Sequence, residues 1–303
     1  MPTNSTSEPT KDELKAAKKL LKAQEKMMLE AERARERVTK AALEVEREAG
    51  RTRMSGHERR EQLINVARHL FAEKGFDLIL TGRRADRLDK LSALLKEKHG
   101  TTVVTLNFDV RDEDAVQKAI NTLSPSVKAQ LKILINNAGL AVGRGPIDTG
   151  LSDDWNRMID TNVKGLLYVS RAVIPLLKVN GGGHIINIAS IAGKEVYPGG
   201  NVYCASKHAV DALSQAMRID LLPYKIKVTN IAPGAAETEF SLVRFKGDEA
   251  TAKDVYEGFD PLTAKDIADV VYFAVTRPAH VNINDLTIMP AAQASATVID
   301  KNQ

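Results

Sequence analysis

Cysteine is nearly absent from this chain: Cys204 is the only one. A lone thiol cannot close an internal disulfide, so the fold must stand on packing, and this usage fits a reducing, cytoplasmic compartment. Long apolar runs are missing as well. None reaches the ~20 residues that a membrane-spanning helix needs, and the N-terminus lacks the short apolar core of a secretory signal. Charge of one sign is not in excess. The formal net charge is +4, with acids and bases interspersed, which reads as a solvated surface and not as a nucleic-acid footprint. No metal site is expected.

Glycine and proline are absent from Lys11 to Glu48, where Ala, Glu, Lys and Arg dominate. That composition predicts a long helix behind a polar, disordered lead of residues 1–10. Leu14, Ala17, Leu21, Met28, Val38 and Val45 follow a heptad-like step, but Gln24 and Arg35 interrupt the seam. The helix therefore reads first as a solvated appendage, and second as a helix over residues 11–48 that holds a partner. Gly50 to Gly56 marks a break. The chain accordingly divides into residues 1–56, lead plus charged helix, and residues 57–303, one folded domain.

What is present after that break is alternation. A helix is expected from His57 to Lys74, with Leu63, Val66, Ala67, Leu70 and Phe71 on one face and Gly75 as its stop. Short apolar strands follow at Leu78–Leu80, Thr102–Phe108, Leu131–Ile135, Ile185–Ile188, Ile226–Ile231 and Leu286–Ile288. Helices fall between them at 85–98, 112–123, 152–177, 202–221 and 263–275. Strands and helices taking turns imply parallel pairing through right-handed crossovers. Strands without polar alternation imply a sheet covered on both faces. The fold class is doubly wound, Rossmann-like α/β, with ligands at the carboxyl ends of the strands.

The chemistry concentrates in three side chains. Tyr203 and Lys207 stand four apart, on one face of a predicted helix, and Ser190 lies thirteen residues upstream. A phenol near pKa ~10 is a poor base at neutral pH. An ammonium beside it favours the phenolate and brings its pKa toward the working range. A hydroxyl from a second segment then holds a substrate carbonyl or alcohol. Cys204, between the two, reads as a small helix residue.

Further motifs arrive in a fixed order: Thr81-Gly82-Arg83-Arg84, Asp109-Val110, Asn136-Asn137-Ala138-Gly139, Asn162, Ser190, Tyr203 with Lys207, and Pro233-Gly234. In that order the chain from Phe76 onward resembles the short-chain dehydrogenase/reductase family. The resemblance implies hydride transfer between a nicotinamide and a secondary alcohol or ketone. It implies Tyr203 as acid/base, Lys207 as its perturber and ribose ligand, Ser190 as holder of the reacting oxygen, and Asn162 as anchor of a water linking Lys207 to solvent. Asp109 and Val110 would border the adenine, Asn137 the inner ribose, and Pro233, Gly234 and Thr238 the nicotinamide end. The residue ending the strand at Leu78–Leu80 faces the adenosine ribose in this fold. Here Arg83 and Arg84 stand there without an acid, and guanidinium suits a 2'-phosphate, so the expected cofactor is NADP.

The stretches Thr238 to Asp248, Arg277 to Asn284 and Met289-Pro290 resemble one branch of the family, the NADP-dependent dehydrogenases of 3-hydroxy acids, including serine and allo-threonine. A carboxylate needs a cation, and Arg244 is the candidate. The resemblance also implies a homo-oligomer, commonly a tetramer.

One departure is large. The family's glycine-rich turn, which lets backbone amides approach a pyrophosphate, has no counterpart: Glu58-Arg59-Arg60-Glu61-Gln62 fills its place. The strand that precedes that turn is missing too. It should lie between Leu78–Leu80 and Leu131–Ile135, leaving both with unpaired edges. Residues 58–76 instead resemble the first helix of a tetracycline-repressor-type regulator, without the recognition helix that reads a major groove. The primary expectation is an NADP-dependent oxidoreductase with an intact proton-transfer apparatus and weakened cofactor binding. The alternatives are a non-catalytic interaction protein built on the same scaffold and, last, a fragment of a DNA-binding regulator.

Overall fold

A computed structural model describes residues 70–237 and 240–302. The expected long helix, the break at Gly50 to Gly56, the regulator-like segment up to His69, and Thr238 lie outside the described residues. The description opens on the end of a helix at residues 70–73, stopped as expected by Gly75 with φ +82.

The apolar runs fold into parallel strands. Among the described residues, β1 (Leu78–Gly82) pairs only with β2 (Val103–Asn107). β3 (Ile133–Asn136), β4 (Gly183–Ile188), β5 (Ile226–Pro233) and β6 (Asp285–Ile288) form a second parallel sheet in that order. Between them run α1 (Ala85–His99), α2 (Glu113–Asn121), α3 (Pro125–Gln130), α4 (Ser152–Ile159), α5 (Leu166–Val179), α6 (Asn201–Asp220), α7 (Phe240–Arg244), α8 (Glu249–Asp254) and α9 (Ala264–Val275). Local chemistry sets their ends. Asp112 accepts from Ala115 N at the start of α2, Thr263 and Asp266 form a capping box on α9, and Gly100 closes α1 in the left-handed region.

Ile185 and Ile186 are neighbours on β4, and both are fully buried. Successive strand residues point to opposite faces, so the sheet is covered on both. On one face Ile185 and Val228 pack with Leu106, Val116, Leu177 and Val210. On the other, Ile186 and Ile231 pack with Phe71, Ile267 and Val271. Polar groups tie the layers: Asn136 Nδ2 donates to Asn187 Oδ1 at 2.8 Å and to Ser170 Oγ at 3.0 Å, and Asn187 Nδ2 donates to Ser214 Oγ at 2.9 Å.

The sheet is split where the sequence lacks a strand. Among the described residues, β1 has no partner away from β2, and β3 has none away from β4. Ile135 on β3 remains 37% exposed. Both sheets nevertheless share the cores, because Ile79 and Val104 pack in the cluster of Ile185, and Leu78 in the cluster of Ile186. Side-chain packing holds the halves together.

Two expectations need correction. The helix expected over 152–177 is interrupted by a π turn at Asp160–Gly165, which widens the ladder and turns Asn162 inward. Three short helices, α3, α7 and α8, were not anticipated; each has too few residues to show a period. Native-state hydrogen exchange should protect the amides of β4 and β5 at least about tenfold more than those of β1 and β3, whose outer edges are unpaired. Equal protection would show that another segment pairs with those edges.

Candidate active site

Four of the expected residues come together at the carboxyl ends of β3 to β5. Tyr203 and Lys207 lie one turn apart on α6, and both are buried. Ser190 follows β4, where its Oγ accepts from Ala192 N at 3.1 Å and donates to Pro233 O at 3.4 Å. Asn162 closes the group from the π turn. Its Oδ1 accepts from Leu140 N at 2.8 Å, and its Nδ2 donates to Leu140 O at 2.8 Å and to Ser206 Oγ at 2.9 Å. Lys207 Nζ donates to Ile188 O at 2.9 Å. A Cβ built on Gly139 would lie 3.3 Å from both Asn162 Oδ1 and Lys207 Nζ, which places that amide and that amine around one point of backbone.

Electrostatics depart from the simple expectation. Burial raises the Tyr203 phenol above its ordinary range, and the influence of the nearby Ser190 hydroxyl only partly opposes this. The same burial lowers Lys207 to about 8. Desolvation outweighs the anticipated acidifying effect of the neighbouring amine, so the phenol stays protonated at neutral pH.

A cavity of about 560 Å³ opens on Tyr203. Arg244, at the end of α7, leans over its rim: the guanidinium carbon stands 5.8 Å from the Tyr203 ring and 5.2 Å from the Tyr197 ring. Arg244 Nε is buried with no hydrogen-bond partner. A buried donor without an acceptor costs free energy unless an anion arrives.

Of the other expected residues, Arg83, Arg84 and Asp109 form a second group at the ends of β1 and β2, while Asn137 follows β3 and Gly234 follows β5. Arg83 is mostly exposed, 3.7 Å from Asp109, and Arg84 is the residue at which α1 starts. Asp109 is held chiefly by Arg111, whose Nη2 stands 2.7 Å away. Burial pushes the Asp109 carboxyl up, but the hydrogen bonds from Arg111 overcome this and leave it below its usual range. Val110 is half-buried, with its side chain close to Gly165 of the π turn. Asn137 is exposed on the loop after β3. Gly234 donates to Ile288 O at 2.8 Å and is walled in by Met289, Pro290 and Gln293. Among the described residues no group of His, Cys, Asp and Glu is placed to hold a metal, and no helix is long and apolar enough to cross a membrane.

Sequence reasoning missed several cavity residues. Arg144, Asp154, Trp155 and Lys246 line the space, and Tyr197 lies against the Arg244 guanidinium, its phenol raised by burial and moderated by that cation. The glycines at 143, 145, 199 and 200 and the only tryptophan were the available signals.

A parallel α/β sheet with a buried Tyr–Lys pair and serine at its strand tips defines a Rossmann-like oxidoreductase. The family profile described as short chain dehydrogenase matches residues 64–248, and the chain belongs to that family. It is 45% identical over 239 residues to sulfoacetaldehyde reductase 2 of Chromohalobacter salexigens, covering 78% of this chain and 94% of that protein. It is 44% identical over 227 residues to an NADP-dependent 3-hydroxy acid dehydrogenase of Escherichia coli K12, covering 75% and 90%. A solved structure, the closed form of serine dehydrogenase complexed with NADP+, matches with TM-score 0.73 at 41% identity over 78% of this chain and 94% of that one.

The Asn162 amide is buried and bonded three ways, so Asn162→Ala should cost roughly 2–4 kcal/mol, the price of leaving the Leu140 backbone and Ser206 short of partners. Denaturant unfolding measures it, and a loss under about 0.5 kcal/mol would show that water replaces the amide at no cost.

Proposed function

We propose that this chain is an NADP-dependent oxidoreductase acting between a secondary alcohol and its ketone on a small 3-hydroxy acid. The carrying observation is the buried Tyr203 phenol, one helical turn from buried Lys207 and facing a cavity overlooked by the unpartnered Arg244 Nε. In reduction Tyr203 donates its proton to the substrate oxygen while Ser190 holds that oxygen. In oxidation the proton returns to the phenolate. Lys207, poised near 8, lies close enough in pKa to neutrality to pass a proton onward. Arg244 takes the substrate carboxylate and fixes which carbon faces the phenol. The bound nicotinamide supplies or accepts the hydride.

The residues fit that cofactor at its two ends. Arg83 offers an exposed guanidinium for a 2'-phosphate, and Lys207 Nζ, with one recorded acceptor, has donors left for ribose hydroxyls. They do not fit it in the middle, because no glycine-rich turn is available for the pyrophosphate. We therefore read NADP binding as weaker here than in a relative that keeps that turn. The relatives named NADP-dependent and the NADP+ complex support the choice of cofactor. Sulfoacetaldehyde reductase 2, at 45% identity, supports a second substrate, a small sulfonate aldehyde whose anion would occupy the same Arg244. We further read residues 57–303 as the catalytic domain, cytoplasmic and assembling as a homo-oligomer, with residues 11–48 as an appendage available to a partner.

Isothermal titration with NADPH should give a dissociation constant above the micromolar range, and micromolar or tighter binding would sink the weakened-cradle reading. Tyr203→Phe should lower kcat for NADP-linked oxidation of 3-hydroxybutanoate, a secondary alcohol, by about 10²–10⁴-fold. Turnover equal to the unchanged chain would refute Tyr203 as the acid/base.

A further inference from the structure

The roles read above for Ser190 and Tyr203 meet at one substrate oxygen, yet the two residues belong to different elements. Ser190 opens a tight turn, Ile191–Gly193, that is bonded within itself. Ala192 N donates to Ser190 Oγ at 3.1 Å, Gly193 N to Ser190 O at 2.8 Å and Lys194 N to Ile191 O at 2.9 Å. Such a turn moves as a unit. It rests on α6 with no side chain between, because a Cβ on Gly193 would lie 2.6 Å from Lys207 O. Ala192 shares one buried cluster with Tyr203 and Cys204 of that helix.

Lys194 ends the turn and fastens it. Its Nζ donates to Asp211 Oδ1 at 2.7 Å and to Asp285 Oδ2 at 2.6 Å. Asp211 lies on α6 one helical turn beyond Lys207, and Asp285 begins β6. The same two oxygens accept from Asn230 Nδ2, on β5, at 2.9 and 2.7 Å. Asn230 is fully buried, and Lys194 and Asp211 keep only 27% and 19% of their side chains exposed. An isolated surface ion pair contributes little, because solvent screens it and long side chains lose entropy. Here two carboxylates from separate elements converge on one ammonium, and the amide between them carries no charge. Without the ammonium the acids repel each other. Burial disfavours the charged lysine, but its hydrogen bonds to Asp211 and Asp285 outweigh this and raise it above its usual range.

We propose that Lys194 is a positioning residue for the reaction: by bridging Asp211 and Asp285 it seats the Ser190 turn on α6 and sets the span between the Ser190 hydroxyl and the Tyr203 phenol. Lys194 does not line the cavity and acts only through the turn. This role rests on the acid/base reading above and deepens it.

Cys204 reports on that seat without substrate or cofactor. It is the chain's only thiol and is 1% exposed, so dithionitrobenzoate reaches it only when the packing over α6 opens or the domain unfolds. Labelling of the unchanged full chain should be slow. Lys194→Met, which keeps the stem and removes the charge, should speed it about tenfold or more through local opening, at urea concentrations too low for global unfolding to contribute. Lys194→Arg, whose fork can also span two carboxylates, should stay within about threefold of the unchanged chain. In NADP-linked oxidation of 3-hydroxybutanoate, Lys194→Met should lower kcat roughly 10–100-fold, as a displacement of about 1 Å does, with KM within about twofold. Lys194→Arg should restore most of that rate. Labelling of Lys194→Met within about twofold of the unchanged chain would overturn the proposal, since local opening is what it requires. Faster labelling fully matched by lost global stability in urea, an unchanged kcat, or no difference between Lys194→Arg and Lys194→Met would each overturn it as well. If Lys194→Met fails to fold by circular dichroism, Asp285→Asn replaces it, because it removes one of the two anions at constant shape. That variant should label severalfold faster, and an unchanged rate overturns the proposal. If the unchanged chain gives no turnover, the substrate reading falls and Cys204 labelling alone decides for Lys194.

Discussion

One carboxamide holds the reactive region in register. Asn162 grips both backbone groups of Leu140 and the hydroxyl of Ser206, so the loop leaving β3, the π turn and α6 are fixed to a single side chain. Both of its amide protons are used, and its oxygen accepts a strong donor. The π turn exists to this effect: an ordinary ladder would rotate residue 162 about the helix axis, while the widened one brings its side chain to the loop. Because Ser206 is bonded to the Tyr203 carbonyl at 2.8 Å and precedes Lys207, the grip extends to the acid/base pair without touching it. The Asn136–Asn187–Ser214 ladder does similar work one layer below, across β3, β4 and α6. Every link in it is satisfied, which is the condition under which buried polar groups specify an arrangement.

Desolvation drives Tyr203 and Lys207 in opposite directions, because it penalises the charged form of each. The phenol gains a firmer proton and the amine a looser one.

Short-range chemistry was legible in the sequence. The spacing of Tyr203 and Lys207 announced a shared helical face, and Gly75 announced a helix stop. The apolar runs at Leu78, Ile185 and Ile226 announced buried strands, and the absence of a strand before β1 foretold the split between β1 and β3. Contacts made across the fold were not legible. Nothing local to Asp154 indicates Lys246, ninety-two positions away, and nothing local to Tyr197 indicates Arg244. Their meeting depends on how the segment between β5 and α9 lies over the cavity. The direction of the Tyr203 shift was misjudged for a related reason: proximity of an amine is visible in spacing, but depth of burial is a property of the assembled domain.

The split sheet has a mechanical meaning. No backbone bond among the described residues crosses from β1 to β3, so shear between the halves is resisted only by interdigitated side chains such as Ile79, Leu78 and Leu134. Dispersion contacts slide more readily than a peptide ladder stretches. The half bearing Arg83 and Asp109 is thereby joined to the half bearing Ser190 and Tyr203 through shared side-chain cores and not through a continuous strand ladder.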